Sequence, residues 1–178
     1  MSASLSAADR LLHEAVLSLD GALMRLDDML GRVAMLPAER VQALLSSRFA
    51  PDMFTFAQQV RSAVDFALRM AMPLCGLEVP VPPSASNDLT ELHDRIAAAR
   101  AALDLPESAF AGAAERQVTE RAGFADLELD ASDFVLRFGL PNFWFHLTTA
   151  YALMRAAGVA VGKADIDGLH DYPPGFSF

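Results

Sequence analysis

The sequence LSAADRLLHEAVLSLDGALMRLDDMLGRV (residues 5–33) has an apolar residue at every third or fourth position. These positions are Leu5, Ala8, Leu12, Val16, Leu19, Leu23, Leu26, Leu30 and Val33. Because an α-helix has about 3.6 residues per turn, the spacing places them on one face and predicts a long amphipathic helix. The opposite, polar face is predicted to carry Asp9, His13, Asp20, Asp27 and Asp28. The apolar face of such a helix must be buried against neighbouring elements.

The same pattern is found in three later segments, which gives four long helices. Their predicted spans are Leu5–Val33, Pro51–Met72, Asp88–Leu103 and Pro141–Ala157. Proline suits a first helical turn, and Asp52 beside Pro51 would interact favourably with the positive end of the helix dipole. Asp88, followed three residues later by Glu91, resembles a capping box. Four amphipathic helices joined by polar loops predict an all-α four-helix bundle.

The segment from residue 117 to residue 129 breaks the helical pattern. Apolar and polar residues alternate over residues 127–129, which is the period of a β-strand, and Ala122 with Gly123 supplies a turn. These features predict a small β-hairpin just before the last long helix. After a further short helix, the chain is predicted to turn at Gly139.

The apolar content raises the question of a membrane span, since hydrophobic residues make up 53% of the chain and the mean hydropathy is +0.26. The richest stretch, residues 143–162, is interrupted by His146 and Arg155. No uncharged apolar run approaches the roughly 18 residues that crossing a bilayer requires. We therefore expect no membrane span, and we expect the apolar residues in the core of one domain (residues 1–178) and in a subunit interface.

The charge pattern argues against nucleic acid and anionic membranes as partners. The net charge is −9 with a pI near 4.7, and the 14 lysine and arginine residues are scattered singly. A surface that binds phosphates needs basic residues gathered into a patch. The single cysteine, Cys75, cannot form an internal disulfide, and residues 1–10 lack the pattern of a secretory signal. These features predict a cytoplasmic protein.

Three stretches carry a family resemblance. They are RFAPDMF (residues 48–54) leading into QVR (59–61), LPNFWFHLTTAY (140–151), and Gly158-Val159 with Gly162-Lys163. Together they resemble a bacterial family of unknown function that is grouped with the DinB-like four-helix bundles, and the similarity extends over nearly the whole chain. The resemblance implies the DinB-like topology, which is often dimeric. In many members of that superfamily three histidines hold a divalent metal, one from the second helix and two, four residues apart, from the fourth.

This sequence departs from that three-histidine pattern. Four residues after His146 stands Ala150, and the predicted second helix, Pro51–Met72, contains no histidine. If the chain binds a divalent metal such as Zn or Ni, His146 is the one ligand that the three-histidine pattern supplies. The other ligands are unknown.

His146 is the main candidate for a functional residue. At about 100° per residue it falls on the same stripe as Phe143 and Ala150, so it is predicted to point inward. It is either a core histidine satisfied by hydrogen bonds, or a metal ligand or acid–base group in a pocket. Without a nearby carboxylate, burial should lower its pKa below about 6.5. His93, at the edge of the third helix's core face, and Asp52 complete the set of pocket candidates.

The fourth helix is aromatic on a second side, where Trp144 and Tyr151 lie near Arg155. Two buried faces imply two neighbours. The second neighbour is either the hairpin and C-terminal tail of the same chain, with Phe176 and Phe178 as anchors, or another subunit. The high apolar content favours a homodimer.

Three functional hypotheses follow. The first is a non-enzymatic bundle that binds a small molecule or partner protein around His146. The second is a divalent-metal-dependent enzyme, either thiol-transferase-like or hydrolase-like, in which His146 with His93 or carboxylates holds the ion and activates bound water or a substrate thiol. The third is a purely structural dimer.

Overall fold

The computed structural model describes residues 5–81, 86–173 and 176. The helices and strands are α1 (Ala7–Val33), α2 (Ala38–Ser46), α3 (Phe56–Leu74), α4 (Leu89–Leu103), β1 (Gln117–Ala122), β2 (Ala125–Asp130), α5 (Ala131–Asp133), α6 (Leu140–Ala156) and α7 (Ala164–Asp167). Helix α3 packs against α1, α4 and α6, and α4 also packs against α1. The predicted all-α four-helix bundle, with a small hairpin before the last long helix, is confirmed.

Helix α1 begins with a capping box that Ser6 and Asp9 form. The Ser6 hydroxyl accepts a hydrogen bond from the Asp9 backbone N–H, and the Asp9 carboxylate accepts one from the Ser6 backbone. The second Asp9 oxygen accepts from the backbone N–H of Ala114, at 2.9 Å. Asp9 is consequently buried, and its predicted place on the solvent face of the helix is wrong. The Ala114 hydrogen bond is the main reason that the pKa of the Asp9 carboxyl lies below its usual value.

Helix α3 begins at Phe56, five residues later than the sequence pattern predicts. Thr55 is its N-cap and forms a capping box with Gln58, which satisfies two backbone N–H groups at the helix start. Pro51 and Asp52 lie instead in an exposed turn, in which the N–H of Met53 donates to the carbonyl of Ala50. The prediction that Asp52 is a first-turn helix acid is therefore wrong.

Helix α4 starts where the sequence predicts. The Asp88 side chain accepts from the Glu91 backbone N–H at 2.9 Å. The Glu91 carboxylate does not complete the box but accepts from Arg95, whose buried guanidinium also donates to Asp65 of α3. This network joins α4 to α3, because Arg95 is buried among the apolar residues of α4 and reaches a carboxylate of α3.

The hairpin connects to the bundle through Arg69 of α3. Strands β1 and β2 pair in antiparallel register, with Gln117 opposite Asp130, and the turn uses Gly123 at a φ of +61°. Arg69 donates from two nitrogens to the Glu120 carboxylate of β1, at 2.8 and 3.2 Å. The hairpin is thereby held beside the face of α3 that meets α6.

The chain does not turn at Gly139, and this prediction is wrong. Helix α5 continues through a π-helix, Phe134–Gly139, directly into α6, and Gly139 keeps right-handed helical angles. A Cβ at Gly139 would lie 2.6 Å from Cγ of Met70, a buried residue of α3. The glycine is required for the close approach of α3 and the π-helix rather than for a change of direction.

After α6 the chain returns along α1. Val159 and Val161 are buried, and Arg32 of α1 forms an ion pair with Asp165 of α7 at 2.6 Å. Arg25 of α1 donates to the carbonyl of Ile166. The predicted anchor Phe176 stacks on Tyr172, and Phe178 lies outside the described residues.

Within the described part of the chain, no helix combines the length and apolar content that spanning a bilayer would need.

Candidate functional site

His146 lies on the inward face of α6, where α6 packs against α3, and only 8% of its surface is exposed. The predicted inward direction agrees with this position. Its Nδ1 lies 2.7 Å from Oε1 of Gln59, a residue of α3 that is 1% exposed. Two buried polar side chains from different helices therefore satisfy each other.

The hydrogen bonds of Gln59 define which imidazole nitrogen carries the proton. Nε2 of Gln59 donates to the carbonyl of Phe54, so the amide oxygen faces His146. An amide oxygen only accepts hydrogen bonds, and Nδ1 of His146 must therefore be the donor. In the neutral imidazole this leaves Nε2 with a lone pair that is free to accept.

Three phenyl rings surround the imidazole. Phe54 and Phe66 stack on it at centroid distances of 5.9 and 5.4 Å, and Phe145 contacts it edge-on at 5.1 Å. Within residues 5–81, 86–173 and 176, no group makes a hydrogen bond with Nε2 of His146. This site, defined as His146 with Gln59, Phe54, Phe66 and Phe145, combines an apolar wall with one unpaired acceptor.

The hairpin supports one wall of the site. The Arg69 guanidinium that bonds to Glu120 also lies over the Phe66 ring, 4.6 Å from its centroid. A cation over an aromatic face is attracted by the ring quadrupole, so Arg69 restricts the position of Phe66. The contacts continue from the hairpin through Arg69 and Phe66 to the imidazole.

Burial makes the neutral form of His146 the stable one. Desolvation lowers the pKa of the imidazole below its usual value. The direction agrees with the sequence prediction, and the phenyl rings explain it because they offer no compensating charge.

The other predicted pocket residues lie in different surroundings. Phe143 and Ala150 are fully buried in the core, and Phe143 packs edge-on against Trp144. Asp52 is exposed in the turn before α3. His93 is partly exposed, and its Nδ1 lies 2.6 Å from the carboxylate of Asp27 on α1. His93 and His146 thus have separate partners.

The described residues do not fit a three-histidine metal site. In residues 5–81, 86–173 and 176, no group of three or more histidine, cysteine, aspartate or glutamate side chains is arranged to hold an ion. The remaining histidines contact other residues: His13 packs on Phe110, and His170 contacts Asp167. Nδ1 of His146 is bonded to Gln59.

A cavity of about 150 Å³ lies next to the site. It is lined by Phe54, Gln58, Arg61, Ser62 and Asp65. Phe54 contacts both this cavity and the imidazole, and it is 50% exposed. A change in the Phe54 side-chain rotamer would therefore alter access to His146.

Sequence reasoning missed four members of the site, namely Gln59, Phe54, Phe66 and Phe145. A signal for Gln59 was present, because it lies three residues after Phe56 and therefore near the apolar stripe of its helix. A polar residue on a buried stripe requires a partner, and His146 was the polar residue on the facing stripe.

The bundle, the hairpin and the connection between them define a DinB-like fold. The solved structure of a DinB family member protein from Shewanella denitrificans is 31% identical to this chain, with a TM-score of 0.81. The similarity covers 93% of this chain and 96% of that one. The family described as "Domain of unknown function (DUF1993)" matches residues 11–167. The chain belongs to this family. No curated protein matches the chain.

The buried position of His146 leads to a prediction about pH and stability. Because the folded-state pKa is lowered, the unfolded chain binds an additional proton between the folded and unfolded pKa values. The contribution of His146 to stability is therefore complete above about pH 6.5 and declines as the pH falls below that value. His146→Gln removes the titration, and we expect it to reduce the slope of unfolding free energy against pH in this acidic range.

Urea denaturation of both proteins at a series of pH values measures that slope. An unchanged slope in His146→Gln would contradict burial of a neutral imidazole. So would a slope that is steeper in His146→Gln than in the wild-type protein.

Proposed function

We propose that this protein binds a small molecule that donates a hydrogen bond to Nε2 of His146 and packs an apolar ring against Phe54 and Phe66. The observation that carries the proposal is the unpaired Nε2 acceptor inside a set of phenyl rings. A ligand of this kind would satisfy the acceptor and cover the exposed side of Phe54.

The contacts of Nε2 support binding rather than a purely structural role. Gln59 satisfies Nδ1 only. Among the described residues, Nε2 of His146 is not one of the fully buried side-chain atoms that lack a partner, so it can reach solvent. A ligand that donates a hydrogen bond to Nε2 would replace water there, and one such bond contributes about 1 kcal/mol.

The cavity beside Phe54 supports an occupant of about the size of one aromatic ring. The cavity has a volume of about 150 Å³ and is open to solvent, and Phe54 supplies an aromatic ring on one side of an otherwise polar lining. Its lining includes the charged side chains of Arg61 and Asp65, which already bond to Asn87 and Arg95 respectively. These groups would orient polar substituents at the edge of the ligand.

Phenol is a suitable probe because it combines one ring with one donor. We expect phenol to shift the NMR signals of the His146 imidazole in a saturable way. In anisole a methyl group replaces the donated proton. We expect anisole to bind about fivefold more weakly than phenol, since one hydrogen bond contributes about 1 kcal/mol.

The matched variants are His146→Gln and His13→Gln. His13 packs on Phe110, away from α6, so its replacement should leave phenol affinity unchanged, whereas His146→Gln should lower it to that of anisole. Equal binding of phenol and anisole by the wild-type protein, or shifts that do not include His146, would contradict the proposal.

We also propose a cytoplasmic homodimer in which residues 1–178 form one domain. Phe145 supports the dimer, since it contacts His146 while remaining 54% exposed, and a second copy would cover it. The single cysteine supports a reducing compartment.

Light scattering at micromolar concentration tests the dimer. We expect a mass near twice 19.2 kDa for the wild type, and a mass near 19.2 kDa for Phe145→Glu, because a carboxylate is disfavoured in an apolar interface. The same replacement at Phe124, which is 99% exposed at the hairpin turn, is the control and should leave the mass unchanged. A wild-type mass near 19.2 kDa would rule out the dimer.

A further inference from the structure

A second, larger cavity of about 460 Å³ lies between α2 and the C-terminal end of α6. Its lining consists of Arg40, Ala43, Leu44, Ser47, Arg48, Phe49, Leu153, Ala156 and Ala157. None of these residues belongs to the site around His146. The volume is within the range of about 300–1,000 Å³ that small-molecule sites occupy.

The lining divides into an apolar floor and a basic rim. Leu44 and Leu153 are buried side chains that form part of the floor, and Ala156 extends it at the surface. Phe49 is 54% exposed and lies on the rim with the two arginines. A ligand with a hydrocarbon chain could bury that chain on the floor and remove part of the Phe49 ring from water.

The two rim arginines make no ion pair with any carboxylate among the described residues. Arg40 donates to the carbonyl of Ala157 at the end of α6, and Arg48 donates to the carbonyl of Pro51. Six other arginines do have carboxylate partners, namely Arg32, Arg69, Arg95, Arg100, Arg121 and Arg137. Glu39 precedes Arg40, and Asp52 lies four residues after Arg48, but neither carboxylate forms an ion pair with these guanidinium groups.

Arg10, Arg25, Arg116 and Arg155 also donate to backbone carbonyls without an ion pair among the described residues. What distinguishes Arg40 and Arg48 is that both line the same apolar cavity. Each guanidinium has five N–H donors, and the backbone carbonyl uses one of them in each case. The remaining N–H groups can donate to a carboxylate in the two-bond geometry that arginine favours. The charge of the rim is therefore complementary to an anion.

We infer that this cavity binds a free medium-chain monocarboxylate, with its hydrocarbon chain on the floor formed by Leu44 and Leu153 and its carboxylate between Arg40 and Arg48. An apolar floor alone would accept any hydrocarbon, and the arginines alone would accept any anion. The combination selects a molecule that has both parts.

Octanoate is the probe, and octanol and acetate each lack one part of it. Titration into protein with labelled leucine methyl groups should give saturable shifts at Leu44 and Leu153. We expect octanol and acetate to bind at least about tenfold more weakly than octanoate, because the first loses the charge-assisted hydrogen bonds and the second loses the apolar contact.

Two variants test the basic rim and the apolar floor separately. Arg48→Gln should weaken octanoate binding about tenfold while leaving octanol unchanged. Ala156→Phe keeps both arginines but fills the cavity, and it should weaken both ligands. Arg137→Gln, which removes an exposed arginine paired with Asp133, is the control and should have no effect. All three positions are exposed, so thermal unfolding should confirm that the variants remain folded.

Equal affinities for octanoate and octanol would overturn the inference, since the rim would then contribute nothing. Octanoate binding that Arg48→Gln leaves unchanged, or the absence of leucine methyl shifts at millimolar octanoate, would also overturn it.

Discussion

The hydrogen bond between Nδ1 of His146 and Oε1 of Gln59 joins α6 to α3 inside the bundle. Each group would be costly to bury alone, and together they remove that cost at one interface. The bond also determines the chemistry of the imidazole. Because the amide oxygen can only accept, the proton remains on Nδ1 and the lone pair on Nε2 is directed away from Gln59. The site is thus an acceptor surrounded by phenyl rings.

Two features of the fold hold this pair in place. The capping box of Thr55 and Gln58 fixes the start of α3, so that Phe54 precedes the helix and its carbonyl accepts from the Gln59 amide. The close packing of Gly139 against Met70 brings the π-helix and the start of α6 against α3. π-helical turns occur frequently at functional sites, and here the turn directly precedes the helix that carries His146.

The sequence predicts well what a single helix determines. The apolar stripes, the hairpin and the inward direction of His146 follow from spacing alone. It predicts poorly what depends on contacts between elements. Asp9 is buried because the backbone near Ala114 packs on it, and Gly139 stays helical because Met70 requires the space. The position of Gln59 near an apolar stripe can be read from the sequence, but the packing of α3 against α6 is what brings it to His146.

The protonation of the His146 imidazole tests the central claim most directly. Long-range ¹H–¹⁵N NMR correlation above pH 7 distinguishes a protonated ring nitrogen from one that carries a lone pair. The structure predicts a protonated Nδ1 and an unprotonated Nε2 for His146. A proton on Nε2, an imidazolium, or a spectrum that changes when a chelator is added would contradict it, and the last result would indicate a bound metal.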